Sequence, residues 1–203
     1  METRDRILDA AAELMRTRGI VRATTKEIAK AAGFSEATLY KHFRDKEELL
    51  LRVLRERMPG FARVEIAPGE GRVEDNVWRL MRGALDFYRE AFPMLGPLLS
   101  EPQLMAAHRE RLSGYGAGPQ KAVDRIAAYF RAERDLGRLA AGTDPDAVAA
   151  LLAGVCFQQA FFGYFAEGAA ASPVPDETVT ALAERWGAQH TPTGKVVWFE
   201  QSL

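Results

Sequence analysis

A single cysteine, Cys156, is all the thiol this chain carries, so an internal disulfide is excluded and a reducing, cytoplasmic setting fits. Histidine is nearly as scarce. His42, His108 and His190 lack metal-ligand spacing, and neither a metal nor a cofactor is expected. Cys156 lies within an apolar helical run, where a thiol is ordinarily inert. Gly114, Gly116 and Gly118 imitate a phosphate loop, but no strand precedes them and no Gly-Lys-Ser/Thr follows. No catalytic constellation remains, and the expectation is a protein that is not an enzyme. An excess of either charge is also missing: 27 Lys and Arg meet 28 Asp and Glu, for a net charge of −1. No signal peptide opens the chain, no internal repeat recurs, and no alternating run is long enough to suggest a sheet. Only Val148 to Ala166 approaches bilayer length, and Gln158 and Gln159 near its middle favour a buried helix over a membrane span.

What is present is concentrated between Thr24 and Leu50. Thr24 with Glu27 has capping-box spacing, so a helix is predicted from Thr25. Ile28, Ala29 and Ala32 give it an apolar face, and Gly33 can adopt the left-handed conformation that ends it. Ser35 starts a second helix through Thr38, Leu39 and Tyr40, and Asp45 with Glu48 repeats the capping pattern for a third. Helices this short need support, which Thr3 to Arg18 can supply through Ile7, Leu8, Ala11, Leu14 and Met15 before Gly19 stops it. Helix, glycine turn, helix is the geometry that sets a second helix in the DNA major groove. Between Arg16 and Lys46 stand eight Lys and Arg against three acids, a basic patch on a near-neutral chain.

The second helix should show base edges Glu36, Ala37, Thr38 and Lys41. Glu36 suits a cytosine amino group, Ala37 and Thr38 a thymine methyl, and Lys41 guanine. Thr25, Tyr40, His42 and Lys46 are placed for phosphates, Thr25 and Lys46 at helix starts where the dipole favours an anion. Lys26 and Ser35 complete the candidate DNA-binding set, although Ser35 and Thr24 also serve as caps. Leu39 and Phe43 belong to the core.

RILDAAAELMRTRG, TTKEIAKAAG and FSEATLYKHFRDKEELL follow one another with their spacing intact, and Arg4 to Leu54 thereby resembles the DNA-binding domain of the tetracycline-repressor (TetR) family of bacterial regulators. Gly33, Thr38, Leu39, Tyr40, His42, Phe43 and Lys46 fit the family's marked positions, and the resemblance gives the candidate residues the same DNA roles. It covers about a quarter of the chain; the remainder is similar only in its helical pattern. The implied fold is all-α, with a three-helix helix-turn-helix domain at 1–45, a larger helical effector-binding and dimerisation domain at 46–187, and a tail at 188–203.

The expected organisation beyond Lys46 is a connecting helix to about Met58, ended by Pro59-Gly60, then a helix from Val73 to about Ala91. Pro93, Gly96, Pro97 and Pro102 are expected to break the next segment into short turns. Further helices are read through Leu104 and His108, from Pro119 to about Leu136, from Pro145 to Glu167, and from Asp176 to Trp186. The stretch after Gly187 reads either as a strap carrying a β-prone run, Val196 to Phe199, or as a disordered end.

The resemblance also implies an effector cavity among the central helices. Candidate lining residues are Trp78, Met81, Leu85, Tyr88, Met94, Met105, His108, Phe130, Gln158 and Phe162, with Tyr115, Arg131 and Gln159 as further polar candidates; any one of them is as readily ordinary core. The composition suits a small, largely apolar effector. Small residues Ala149, Ala150, Ala153, Gly154, Ala160 and Gly163 would let the long apolar helix approach its copy in a homodimer. The expected protein is therefore a homodimeric repressor that binds a near-palindromic double-stranded DNA operator, releases it on binding a small-molecule effector, and involves no membrane. An all-helical enzyme and a non-inducible architectural DNA binder are the alternatives.

Overall fold

Thr24 shows most directly how this chain turns sequence into structure. In the computed structural model its hydroxyl accepts from the Glu27 N–H at 3.2 Å, and the Glu27 carboxylate accepts the Thr24 N–H at 3.2 Å. That reciprocal cap starts α2, Thr25–Ala32. Gly33 ends it at φ +80°, a left-handed value that a side chain would disfavour. Ser35 caps α3, Glu36–His42, and Asp45 caps α4, Lys46–Glu56, each accepting the N–H three residues on. One detail departs from expectation: Glu48 reaches back to the Arg44 N–H, one residue before the cap. The structure describes residues 2–58, 64–115, 118–184, 186–191 and 194–199. The expected Pro59-Gly60 stop lies outside them.

The supporting helix α1 spans Thr3–Arg22 as two helical stretches joined across a kink at Gly19, where the sequence places a stop. Gly19 does leave helical geometry, at φ 76° and ψ 158°, but the chain re-enters a helical turn that buries Ile20. Ile7, Leu8, Ala11 and Met15 from α1 join Ile28, Ala29, Leu39, Phe43, Leu49, Leu50 and Val53 as a buried set. Arg4 clamps α1 to α4 through a two-pronged pair with Glu56 at 2.6 and 2.9 Å. Arg57 adds bonds to Asp5 at 2.7 Å and Asp9 at 2.6 Å.

Beyond α4 the helices are α5 Val73–Leu99, α6 Pro102–Gly114, α7 Pro119–Asp135, α8 Pro145–Glu167 and α9 Asp176–Glu184, with a 3-10 turn at Gly168–Ala170. The expected break at Pro93 does not occur, since α5 runs on through 93 and 97 to Leu99. Phe92, Met94 and Leu98 are buried there, and their packing offsets the lost backbone bond of an internal proline. The tail also differs from an unstructured end. Strands β1, Trp186–Thr191, and β2, Gly194–Phe199, pair antiparallel with Trp186 opposite Phe199 and Thr191 opposite Gly194. Pro192 and Thr193 fall outside the described residues. Among the described residues the fold is otherwise all-helical, with an N-terminal helix-turn-helix and a C-terminal helical domain.

Two compact units emerge. One holds residues 1–59, 89–118 and 168–170; the other holds 60–88, 119–167 and 171–203. α4 thus groups with the N-terminal helices, where the sequence reading begins a new domain at residue 46. In the second unit Val77, Met81, Leu85, Ile126, Phe130, Val148, Leu152, Cys156 and Val179 share one core. One face of α8 supplies Val148, Ala149, Leu152, Cys156 and Ala160 to that interior. Its other face exposes Phe162 and, at 82 % exposure, Phe165. By length and composition alone this helix could cross a membrane.

Candidate nucleic-acid interface

Capping places α3 so that one side is held and the other is open. Leu39 is buried, while Ser35, Ala37, Tyr40, Lys41 and His42 are exposed and Glu36 and Thr38 are half-buried. Lys26 on α2 is exposed beside them, and Tyr40 is 48 % exposed, high for so large an aromatic. Ser35 spends its oxygen on the Thr38 N–H and sits 2.9 Å from the Thr38 hydroxyl. That contact engages the threonine's hydroxyl on the exposed side of the helix start.

Thr25, at the start of α2, reaches across to α3. Its hydroxyl donates to Glu36 Oε1 at 2.5 Å and lies 3.3 Å from the Tyr40 hydroxyl. The sequence reading gave Thr25 and Tyr40 to phosphates and Glu36 to a base; the structure brings the three together.

Lys46 is less free than its position suggests. Its Nζ donates to the Val21 carbonyl at 3.4 Å, and burial lowers its pKa despite the raising influence of Glu47 and Glu27. Glu27 is held below the usual carboxylate range, first by the Thr24 hydroxyl and then by the Thr24 N–H, with Arg18 adding a charge at 3.1 Å. Gly33 contributes through space as well as φ, because a Cβ there would come within 2.9 Å of Arg6 Nη2.

Tyr115 has a different place from the one its sequence context suggested. It follows α6, and its hydroxyl lies 3.3 Å from both Asp45 carboxylate oxygens, on the residue that caps α4. Arg44, between α3 and α4, stacks over the Tyr115 ring at 4.8 Å. Burial and Asp45 both push the Tyr115 hydroxyl pKa upward. No motif in the sequence pairs these residues, which lie 70 positions apart.

The candidate effector residues divide between the units. Met94, Met105 and His108 fall in the first; Trp78, Met81, Leu85, Tyr88, Phe130, Gln158 and Phe162 fall in the second. Met81, Leu85 and Phe130 are buried in the shared core, with Trp78 and Tyr88 packed against it. Met94 is buried, and Met105 and His108 are half-buried. Gln158 and Phe162 stand on the exposed face of α8, because the helix turns Val148, Ala149, Leu152, Cys156 and Ala160 inward. Arg131 pairs with Asp146 at 2.7 Å near the surface.

Comparison with known proteins follows the same division. The family model described as bacterial regulatory proteins, tetR family, matches residues 7–53. An uncharacterized HTH-type transcriptional regulator of Bacillus subtilis, YvkB, is 48 % identical over 48 residues, 24 % of this chain and 25 % of that protein. The first curated relatives are matched over 25 % to 42 % of their own length. An HTH-type transcriptional repressor of Mycobacterium tuberculosis is 29 % identical over 169 residues, 73 % of this chain and 88 % of that protein. The crystal structure of the regulator FadR from Bacillus subtilis in complex with stearoyl-CoA superposes with a TM-score of 0.60 at 17 % identity, covering 88 % of this chain and 96 % of that one. At that identity the likeness is one of fold.

Proposed function

We infer that this chain, whose residues 7–53 match the model of the tetR family of bacterial regulatory proteins, is a DNA-binding transcriptional regulator of that family that acts as a repressor. The observation that carries the reading is the open face of α3. Ala37, Tyr40, Lys41 and His42 are exposed on a helix whose opposite side is anchored by Leu39 and whose start is fixed by the Ser35 cap. A helix held this way can enter a major groove without rearranging the core behind it. Thr38 and Glu36 then face bases, while Lys26, Tyr40, His42 and Lys46 serve phosphates.

A single half-site gives little register, and two half-sites about 34–36 Å apart bind together through a two-fold dimer. The exposed face of α8 supports such pairing. Phe162 and Phe165 are exposed there, and so is Gly154 more than two turns earlier, where added side-chain volume would meet nothing within 4 Å. An apolar face of this kind seeks cover, and a second copy supplies it. The site of action is cytoplasmic DNA.

Release of the operator follows if an effector favours a conformation that binds DNA poorly. The effector is small and largely apolar, in keeping with the aromatic and methionine-rich central helices; a long-chain acyl compound is a first probe, given the ligand of the similarly folded B. subtilis regulator. The Tyr115 contact with Asp45 and Arg44 supplies a handle on α4, and a shift of the end of α6 would tilt that helix and change half-site separation. Selection of bound duplexes from a random pool, with and without acyl ligands, tests the whole reading. A two-fold-symmetric consensus that is lost with ligand is expected; recovery of unrelated sequences overturns it.

A further inference from the structure

We propose that Thr25 is a positioning residue for base recognition: its side chain holds Glu36 as a reader of cytosine and does not serve a phosphate. The proposal rests on the reading of α3 as the DNA-contacting helix. Its basis is proton accounting. A threonine hydroxyl has one proton, and Thr25 spends it on Glu36 Oε1 at 2.5 Å, within the range of short bonds to a carboxylate. In the 3.3 Å contact between Thr25 Oγ1 and the Tyr40 hydroxyl, the donor is therefore Tyr40. The three groups form a directed chain from Tyr40 to Thr25 to Glu36.

Phosphate oxygens only accept. A phosphate reaching this surface can take the Tyr40 proton and leave the bond between Thr25 and Glu36 intact. It can take the Thr25 proton only by freeing a carboxylate beside a polyanion. The charge-assisted bond is the shorter of the two and the one to persist. Glu36 is then fixed at Oε1, and Oε2 remains to accept from a base. In the major groove cytosine offers an amino donor, guanine and thymine offer carbonyl oxygens, and adenine sets an acceptor nitrogen beside its amino group. A held carboxylate therefore favours cytosine; an unheld one swings away from the phosphates and discriminates poorly.

The test uses the full-length protein, the consensus selected by wild type, and duplexes altered at each cytosine of the half-site. Wild type should disfavour replacement of one cytosine by about tenfold or more. Thr25→Val and Glu36→Gln should each remove most of that preference, the charge-neutral Thr25→Val with the salt dependence of binding unchanged, and the preference should persist in Thr25→Ser. Circular dichroism melts confirm that each variant is folded. If Thr25→Val instead weakens every duplex alike and leaves the preference for that cytosine intact, the hydroxyl serves a phosphate and the proposal fails. Unaltered base preference in Glu36→Gln also overturns it. Should wild type select no symmetric site, the functional reading itself falls, a result distinct from either variant outcome.

Discussion

Single side chains in this protein are mostly committed before any ligand arrives. Thr24 illustrates the cost of breaking such a commitment: Thr24→Ala removes one half of the capping box and should destabilise the protein by about 1 kcal/mol in urea unfolding. Glu27 and Glu56 are both held below the ordinary glutamate range, Glu27 chiefly by the Thr24 hydroxyl and Glu56 chiefly by the hydrogen bond from Arg4. A depressed folded-state value means that their contribution is complete above the unfolded value, about pH 4.3, and is lost as pH falls through the lowered one. Melting temperature should accordingly drop below about pH 4, and Glu27→Gln combined with Glu56→Gln should flatten that acid limb. Cys156 gives the complementary case. Burial pushes its thiol up to about 12, and its S–H points at the Met81 carbonyl at 3.7 Å. Alkylation of the native protein at pH 8 should be slow and should accelerate sharply in denaturant.

Helices and turns carry the next level of constraint. The angle between α2 and α3 depends on Gly33, whose φ of +80° costs any other L-residue roughly 1–2 kcal/mol. The nearby Arg6 guanidinium is the end of a flexible side chain and can move, so backbone strain decides the outcome. Gly33→Ala should therefore lower stability by that amount and weaken operator binding further, as measured by melting and by gel shift. At the start of α4, Tyr115→Phe removes the hydroxyl that reaches Asp45 but keeps the ring under Arg44. DNA affinity without ligand should change little, whereas the ligand concentration needed for release should shift by several-fold in titrations of the preformed complex. Equal responses in variant and wild type would remove Tyr115 from the coupling path.

At the scale of the molecule, the face of α8 that points outward matters as much as its buried one. Phe162→Glu together with Phe165→Glu puts charge on the exposed stripe without touching Cys156, Leu152 or Ala160. Sedimentation should then report a monomer, with operator affinity reduced by at least about tenfold and folding retained. A dimer that survives both substitutions would assign the pairing elsewhere. The outward face also accounts for the difference between the expected and observed positions of Gln158 and Phe162. Helical periodicity identifies which residues share a face, but a helix apolar on every side carries no internal mark of which face meets the core.

The sequence by itself determined the N-terminal module. Thr24, Gly33, Ser35 and Asp45 act on neighbours three or four residues away, so their spacing already contains the caps, the turn and the exposed face of α3. The tertiary structure alone decided whatever depends on partners far apart in the chain. Packing carried α5 through Pro93, and β1 found β2 despite only a weak strand signal. Glu133 is fully buried, accepts the Gly69 N–H at 3.0 Å and lies 3.0 Å from Arg138 Nε. The contacts of Thr25 with Glu36 and of Tyr115 with Asp45 arose in the same way. Local rules set the direction of the backbone over one turn; the pairing of distant side chains depends on how whole helices pack, and no short stretch of sequence encodes that.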